Sequence, residues 1–235
     1  KMLSCVQQDN PSRVLEIGPG LGALTIPMLQ SGIRVEAVEI DYDIIDFLKD
    51  KLERFLSAGS CQITQSDILN YQLDKHLHQD NIDLIFSNLP YNISTPFFLK
   101  LIFEKIYYPG YFLVQKEVAQ RLCAQPGTSN YGRLTVMVSS AFSFTELFDV
   151  PPTAFHPAPK VHSTFIKMQP LPTPFIVNKT FEQLIKMAFS QRRKKISNTL
   201  KDYHIDFDSL GLDANVRAQD LSLEQYIKIF RTISA

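Results

Sequence analysis

Net charge is the first thing this 235-residue sequence lacks: 24 Lys and Arg balance 24 Asp and Glu. No overall field draws the chain to a polyanion, so any nucleic-acid role has to come from an uneven distribution of charge. Cysteine is scarce. Cys5, Cys61 and Cys123 lie far apart without metal-ligand spacing, which excludes a disulfide framework and a structural zinc site and points to a reducing compartment. Cys61 stands in a strand pattern and reads as a small buried hydrophobe. No apolar run approaches the roughly eighteen residues that a membrane helix needs. Internal repeats, low-complexity segments and a Ser/His/Asp constellation are all missing. What is present, 45% hydrophobic and 20% charged residues, is ordinary for a globular enzyme with one main core.

The most informative stretch is Ser87-Asn88-Leu89-Pro90-Tyr91-Asn92-Ile93-Ser94-Thr95, which follows the apolar run Ile82–Phe86. Asn, Pro and Tyr at the carboxyl end of a buried strand suit one chemistry: holding an exocyclic amino group while a methyl is moved onto it. The exocyclic nitrogen of adenine is a poor nucleophile because its lone pair is delocalised into the ring. An Asn oxygen and a nearby backbone carbonyl can accept its two hydrogens, which localises and aims the lone pair. Pro fixes the local backbone, and a Tyr ring offers a face for the base to stack on. An isolated Asn-Leu-Pro-Tyr reads better as a loop that ends the strand. A second motif upstream changes that balance.

That motif is Val14-Leu15-Glu16-Ile17-Gly18-Pro19-Gly20-Leu21-Gly22-Ala23, a short apolar strand, then glycines, then the amphipathic run Leu24–Leu29. Glycines here let the backbone approach a ligand closely, and the next helix presents its N–H groups. Gly18, Gly20 and Ala23 also satisfy G-x-G-x-x-A, so a nicotinamide dinucleotide enzyme stands as a rival. The strand Val35–Ile40 ends in acid. Glu39 lies about twenty residues past the first glycine, where a carboxylate can accept both ribose hydroxyls of an adenosine. A third strand, Cys61–Thr64, leads to Asp67, which suits either an adenine amino group or a helix cap. Glu16, Gly18, Gly20, Glu39, Asp67 and Asn88 all fall at the carboxyl ends of four successive expected strands, which in an open α/β sheet line one crevice.

With these motifs the chain resembles the ribosomal RNA adenine dimethyltransferases. The likeness rests on Glu-Ile-Gly-Pro-Gly-Leu-Gly, Val-Glu-Ile-Asp, Ser-Asp-Ile-Leu and Asn-Leu-Pro-Tyr-Asn-Ile-Ser-Thr-Pro. It continues through Gln115–Leu122, Asn130–Leu134, Phe155–Ser163, Phe189–Lys195 and Arg217–Ser222, so it spans nearly the whole chain. The resemblance implies an α/β fold, a Rossmann-like S-adenosylmethionine-dependent methyltransferase sheet, mostly parallel with an antiparallel edge, followed by a small helical domain. It implies S-adenosylmethionine as cofactor, held by Glu16, Gly18, Gly20, Glu39, Ile40, Asp67, Ile68 and Asn88. The adenine would meet Asn88, Leu89, Pro90, Tyr91 and Phe155, the last shaping the pocket wall. The family's usual target is a pair of adjacent adenosines in a hairpin loop near the 3′ end of small-subunit ribosomal RNA. The erythromycin-resistance methyltransferases of large-subunit RNA share much of the core, and a non-catalytic assembly factor or a mitochondrial transcription-factor-like relative is a further alternative. Expected partners are the small ribosomal subunit and its RNA, with no membrane and no metal, for a monomer in the cytoplasm. The family's basic N-terminal segment, with a Gly-Gln-x-Phe-Leu-like motif that folds over the cofactor, is not found in Lys1–Ser12, so either the chain is truncated or it lacks that segment, and closure over the cofactor and activity are expected to suffer in either case.

Charge is unevenly spread. Acids gather in Glu36, Glu39, Asp41, Asp43, Asp46 and Asp50, whereas from Lys160 to Lys201 the only acid is Glu182. Lys160, Arg192, Arg193, Lys194 and Lys195 are therefore candidate RNA contacts, although a single charge run is usually a solvated face. Residues 1–169 read as the methyltransferase domain and 170–235 as a small helical RNA-binding domain, with Pro170–Pro174 as linker. Helical apolar spacing covers Leu24–Leu29, Ile44–Phe55 and Phe97–Ile106, and Tyr111–Val114 is a further strand. Phe142–Val150 and Val161–Met168 read as a closing strand pair, with Pro151-Pro152 and Pro157-Ala158-Pro159 stiffening the loop between. Gln125–Asn130 reads as a mobile loop, and Lys179–Leu200 and Ser222–Ile229 as helices, the last capped by Asp220 or Ser222. Neither His156 nor His162 is expected to be catalytic, because the amino nitrogen attacks before its proton leaves.

Overall fold

The structure, a computed structural model, describes residues 1–155 and 160–233. His156 and the expected Pro157-Ala158-Pro159 stiffener lie outside the described residues. Seven strands run β1 Arg13–Ile17, β2 Arg34–Glu39, β3 Cys61–Gln65, β4 Leu84–Asn88, β5 Gly110–Gln115, β6 Phe142–Val150 and β7 Ser163–Pro170. The helices are α1 Met2–Gln7, α2 Thr25–Gln30, α3 Tyr42–Ser57, α4 Leu73–Gln79, α5 Ser94–Phe103, α6 Lys116–Leu122, α7 Arg133–Ser139, α8 Lys179–Ala188, α9 Ile196–Thr199 and α10 Leu223–Ile233. The strands form one sheet in the order β3-β2-β1-β4-β5-β7-β6. β1 to β5 pair in parallel, β7 runs antiparallel to β5, and β6 lies outside β7 at the margin, so the expected closing pair forms that side of the sheet.

Two compact units emerge: residues 1–119 with 144–170, and residues 120–143 with 171–235. The expected boundary at Pro170 places 120–143 in the first domain, whereas that segment groups here with the second unit. Its partners lie there. Leu171 and Phe175 donate backbone N–H groups to the carbonyls of Ala141 and Ser140, Arg133 pairs with Glu182, and the Tyr131 and Phe189 rings pack with centroids 6.4 Å apart.

In the first unit the central strands are buried on both faces, as helix-covered parallel strands must be; Val14, Val35, Ile85 and Phe112 are fully buried. α3 shows how the layers close. Asp41 caps it by accepting from the N–H groups of Asp43 and Ile44, and Ile45, Leu48 and Leu52, on one face, enter the core. The helix after the Asn-Leu-Pro-Tyr segment is pinned too. Phe97 and Phe98 of α5 are fully buried, and their rings meet Phe112 of β5 at 5.8 and 5.1 Å.

Two expectations fail in the second unit. A single helix over 179–200 does not form: α8 stops at Ala188, turns occupy the basic run, and a short α9 follows. Lys195 instead bridges to Arg217 in an antiparallel pair, which an uninterrupted helix could not make. Gln125–Asn130 is also not left loose, since Gly127 N–H donates to the Gln219 carbonyl at 2.8 Å and Arg192 donates to the Ser129 carbonyl at 2.6 Å. Between the two candidate caps of α10, Ser222 is the one used: its backbone N–H donates to the Gln225 side chain and its hydroxyl accepts from Gln225 N–H. Asp220 instead accepts from the Arg217 N–H.

Candidate active site

The order of strand addition reverses between the parallel neighbours β1 and β4, because β2 and β3 build outward on one side and β4 and β5 on the other. In a doubly wound sheet this is where a crevice opens at the strands' carboxyl ends. Hydrogen bonds align those ends. Gly18 N–H donates to the Val38 carbonyl at 2.9 Å, and Ser66 N–H to the Glu39 carbonyl at 2.9 Å. The buried Ser87 hydroxyl donates to the Ile17 carbonyl at 2.7 Å.

A cavity of about 390 Å³ occupies the crevice, lined among others by Gly18, Glu39, Ile40, Asp67, Ile68 and Pro90. That volume lies within the range of small-ligand sites. Gly18 and Gly20 have φ of +67° and +54°, and a Cβ at either would meet nothing within 4 Å. They are therefore needed for backbone conformation, and the space beside them is open to a ligand. The Glu39 carboxylate is set by its own turn: Oε1 accepts from the N–H groups of Ile40 at 2.8 Å and Asp41 at 3.1 Å. Asp67 combines both roles weighed from sequence. It lines the cavity while capping its turn, accepting from Leu69 N–H at 2.9 Å and Asn70 Nδ2 at 3.1 Å. Ser66, Asn92 and Ile93 line the cavity as well; they lie within the motifs but are not among the expected site residues.

Glu16, Gly20, Asn88, Leu89, Tyr91 and Phe155 are not among the cavity's lining residues. Asn88 ends β4 with its side chain exposed, and Leu89 behind it is buried. Ile93 N–H and the Ser94 hydroxyl both donate to the Pro90 carbonyl, curling the segment into α5. The Tyr91 ring is about one-third exposed, and its hydroxyl shares a 3.3 Å hydrogen bond with Ser163 of β7. Phe155 is partly buried and packs against the first unit's hydrophobic core.

Glu16 is the electrostatic anomaly. It is 2% exposed, and burial pushes its carboxyl up to about 7. The Thr25 hydroxyl is near enough to lower that value slightly but makes no hydrogen bond of sound geometry, so Glu16 Oε2 and Thr25 Oγ1 are both buried without partners.

The basic candidates separate. Lys160 belongs to the first unit and Arg192–Lys195 to the second. Arg192, Arg193 and Lys194 line a pocket of about 330 Å³, but Arg192 is bound to the Ser129 carbonyl, and Lys195 donates to Asn215 at 2.8 Å. Glu182, the acid in the basic stretch, is paired with Arg133. Among the described residues no helix is long and apolar enough to cross a membrane.

A parallel sheet with an antiparallel edge, an open glycine turn, an acid ending β2 and Asn-Leu-Pro-Tyr ending β4 define the class, a Rossmann-like methyltransferase. The comparisons narrow it. The profile of the ribosomal RNA adenine dimethylase family matches residues 3–235, and the chain belongs to that family. It is 44% identical over 225 residues to ribosomal RNA small subunit methyltransferase A of Nitrosospira multiformis, covering 92% of this chain and 83% of that protein. It is 40% identical to the protein of the same name from Nitrosomonas eutropha, covering 94% and 86%. Among solved structures, a dimethyladenosine transferase from Plasmodium falciparum superposes with a TM-score of 0.78 at 26% identity, covering 94% of this chain and 90% of that one. The 23S rRNA methyltransferase ErmE superposes at 0.64 and 21% identity, covering 95% and 91%, a likeness of fold.

Proposed function

We propose that this protein transfers methyl groups from S-adenosylmethionine to N6 of two adjacent adenosines in a hairpin loop near the 3′ end of small-subunit ribosomal RNA, giving N6,N6-dimethyladenosine. The observation that carries this is the position of Asn88–Tyr91 at the end of β4, beside a crevice formed by the ends of β1, β2 and β3. The relatives named as small-subunit methyltransferases, at 40–44% identity over more than nine-tenths of the chain, favour this substrate over large-subunit RNA and over a non-catalytic role.

The residues present fit the cofactor. Glu39 offers a carboxylate for the ribose hydroxyls, the open Gly18 turn lets backbone approach it, and Asp67 with the exposed Ile40 flanks the adenosine end. When bound, S-adenosylmethionine supplies a methyl already activated on a sulfonium, so the protein's task is orientation and electrostatics. Asn88 accepts one N6 hydrogen of the target adenine. The Pro90 carbonyl is already taken by Ile93 and Ser94, which leaves the Leu89 carbonyl, fixed ahead of Pro90, to accept the other. Tyr91 stacks on the base, which leaves its own stack at least cost from a loop. Lys160 and the second unit's basic cluster hold phosphates, and the protein acts as a monomer in the cytoplasm.

The test is incubation with labelled S-adenosylmethionine and unmodified small or large ribosomal subunits, followed by mapping of the label. Dimethyladenosine at adjacent positions of the small-subunit RNA is the expected product. Label on large-subunit RNA, or none on either particle, overturns the assignment.

A further inference from the structure

A second cleft of the first unit, about 760 Å³, shares no lining residue with the crevice among the described residues. Three separate segments build it: Gln115–Glu117 at the end of β5, Asp149 at the end of β6, and Lys160–His162 before β7. Its frame is cross-linked. One Asp149 oxygen receives the Lys116 ammonium and the other the Thr164 hydroxyl at 2.7 Å, while Lys116 N–H donates to the His162 carbonyl at 3.0 Å. The Lys116 and Asp149 charges are spent on each other. Lys160 is exposed and has no ion-pair partner among the described residues, His162 is exposed beside it, and Val161 holds an apolar side chain 43% in the open.

This lining suits an asymmetric ligand. A cation and an imidazole meet phosphate, the exposed Glu117 carboxylate accepts from hydroxyl or amino groups, and Val161 offers an apolar wall to a base. A bare run of phosphates would be opposed by Glu117, whereas a ribonucleotide presents phosphate, 2′-hydroxyl and base together. Position supports the same ligand. Asn88 is in register with Leu113 of β5, and Gln115 lies two residues further, about 7 Å along the strand. Gln115 faces Ser163 across the sheet, and Ser163 carries the hydrogen bond to Tyr91. The cleft therefore adjoins the place where the target base would stack, one strand across and two residues along.

We infer that this cleft is a second nucleotide subsite, holding the ribonucleotide next to the adenosine presented to Asn88, with Lys160 and His162 on its phosphate and Val161 and Glu117 on its base and ribose. The inference rests on the proposed RNA methylation. It gives that reaction a device for register: with two neighbouring adenosines, one enters the methylation pocket while the other is held, and a shift of one nucleotide exchanges them.

Single-turnover methylation of unmodified small subunits tests this as a cycle between protein and RNA. The substrates are particles with the native loop and particles whose neighbouring adenosine is replaced by uridine, each with the wild-type chain and with E117A/V161A, which removes the contacts assigned to the neighbour's base. Both substitutions lie at exposed positions, and unchanged S-adenosylmethionine affinity by calorimetry checks that the variant is folded. For the wild type, replacing the neighbour should lower kcat/KM roughly tenfold through KM, the scale of one lost base contact. The variant should be roughly tenfold slower on the native loop and change by less than about twofold when the neighbour is replaced. Independent, multiplying effects of the two changes overturn the subsite while the methylation itself stands. No methylation of either particle by the wild type overturns the proposed function and the subsite with it.

Discussion

The buried Ser87 hydroxyl donates to the Ile17 carbonyl at 2.7 Å, joining the strand that presents Asn88 to the strand that turns at Gly18. This hydrogen bond adds a side-chain tie to the β1–β4 ladder at the end where the proposed reacting base and cofactor site meet. Ser87→Ala leaves a buried acceptor short of a donor, so stability should fall by about 1–3 kcal/mol, read from the urea midpoint. Methyl transfer should fall as well, because a small shift of Asn88 misaligns the attack. An unchanged midpoint and rate would show that the sheet alone holds these strand ends in place.

Cofactor binding gives two separable effects. Glu39→Ala should weaken S-adenosylmethionine binding by about 1.5–3 kcal/mol, the scale for hydrogen bonds to a charged group, with the fold intact; calorimetry checks it, and unchanged affinity removes Glu39 from the site. Gly18→Ala should act through backbone strain. Its Cβ meets nothing, so the cost is that of a left-handed conformation, about 1–2 kcal/mol, and should register in thermal stability as well as in affinity.

At the reacting base, Asn88→Ala should nearly abolish methyl transfer while leaving stability close to wild type, since the side chain is exposed. Tyr91→Ala should lose a stacking contact worth about 1–3 kcal/mol. Tyr91→Phe keeps the ring and loses only the hydrogen bond to Ser163, so its single-turnover rate should lie much nearer wild type. Equal damage from Phe and Ala would mean that the hydroxyl, not the ring face, is what matters.

How far all this could be read from sequence depends on how local each signal is. Strand-end residues such as Gly18 and Glu39 are legible because a glycine turn after an apolar strand and an acid after the next are short-range patterns, and the parallel order brings them together. The end of α8 is not legible. No Pro or Gly marks it, and the chain turns there in company with the Arg192 bond to Ser129 and the Lys195 bridge to Arg217, partners more than twenty residues away. The grouping of 120–143 with the second unit depends likewise on distant hydrogen bonds from Leu171 and Phe175. The cleft at Lys116, Asp149 and His162 draws on segments that carry no shared motif, so only folding assembles it.

Glu16 makes stability depend on pH. A carboxyl raised from 4.5 to about 7 by burial binds its proton more tightly in the folded chain than in the unfolded one. Its effect on stability is therefore most favourable below 4.5, is lost progressively as pH rises to about 7, and is constant above that. The full change is about 3 kcal/mol. Glu16→Gln should remove this slope and stand above wild type at pH 8, with the two converging near pH 4. Urea midpoints across that range check it, and parallel curves would mean that the carboxyl titrates normally.

The basic run of the second unit should divide by what each side chain already holds. Phosphate contacts make affinity salt-dependent, and each one lost should lower the slope of log affinity against log salt by roughly 0.7–0.9. Arg192 is bound to the Ser129 carbonyl and Lys195 to Asn215, whereas Arg193 and Lys194 are exposed at the same pocket. Arg193→Ala with Lys194→Ala should therefore flatten the salt dependence of binding to the small ribosomal subunit by up to two contacts and leave stability unchanged. Arg192→Ala should instead release the 125–130 loop, lowering stability and raising hydrogen exchange at the Gly127 and Tyr131 amides, with a smaller effect on the slope. S-adenosylmethionine affinity should stay the same in all of these variants, since none of the residues lines the crevice. If the Arg193 and Lys194 double variant binds the particle with wild-type affinity and slope, those charges serve solubility, and the RNA-holding role assigned to this run is wrong.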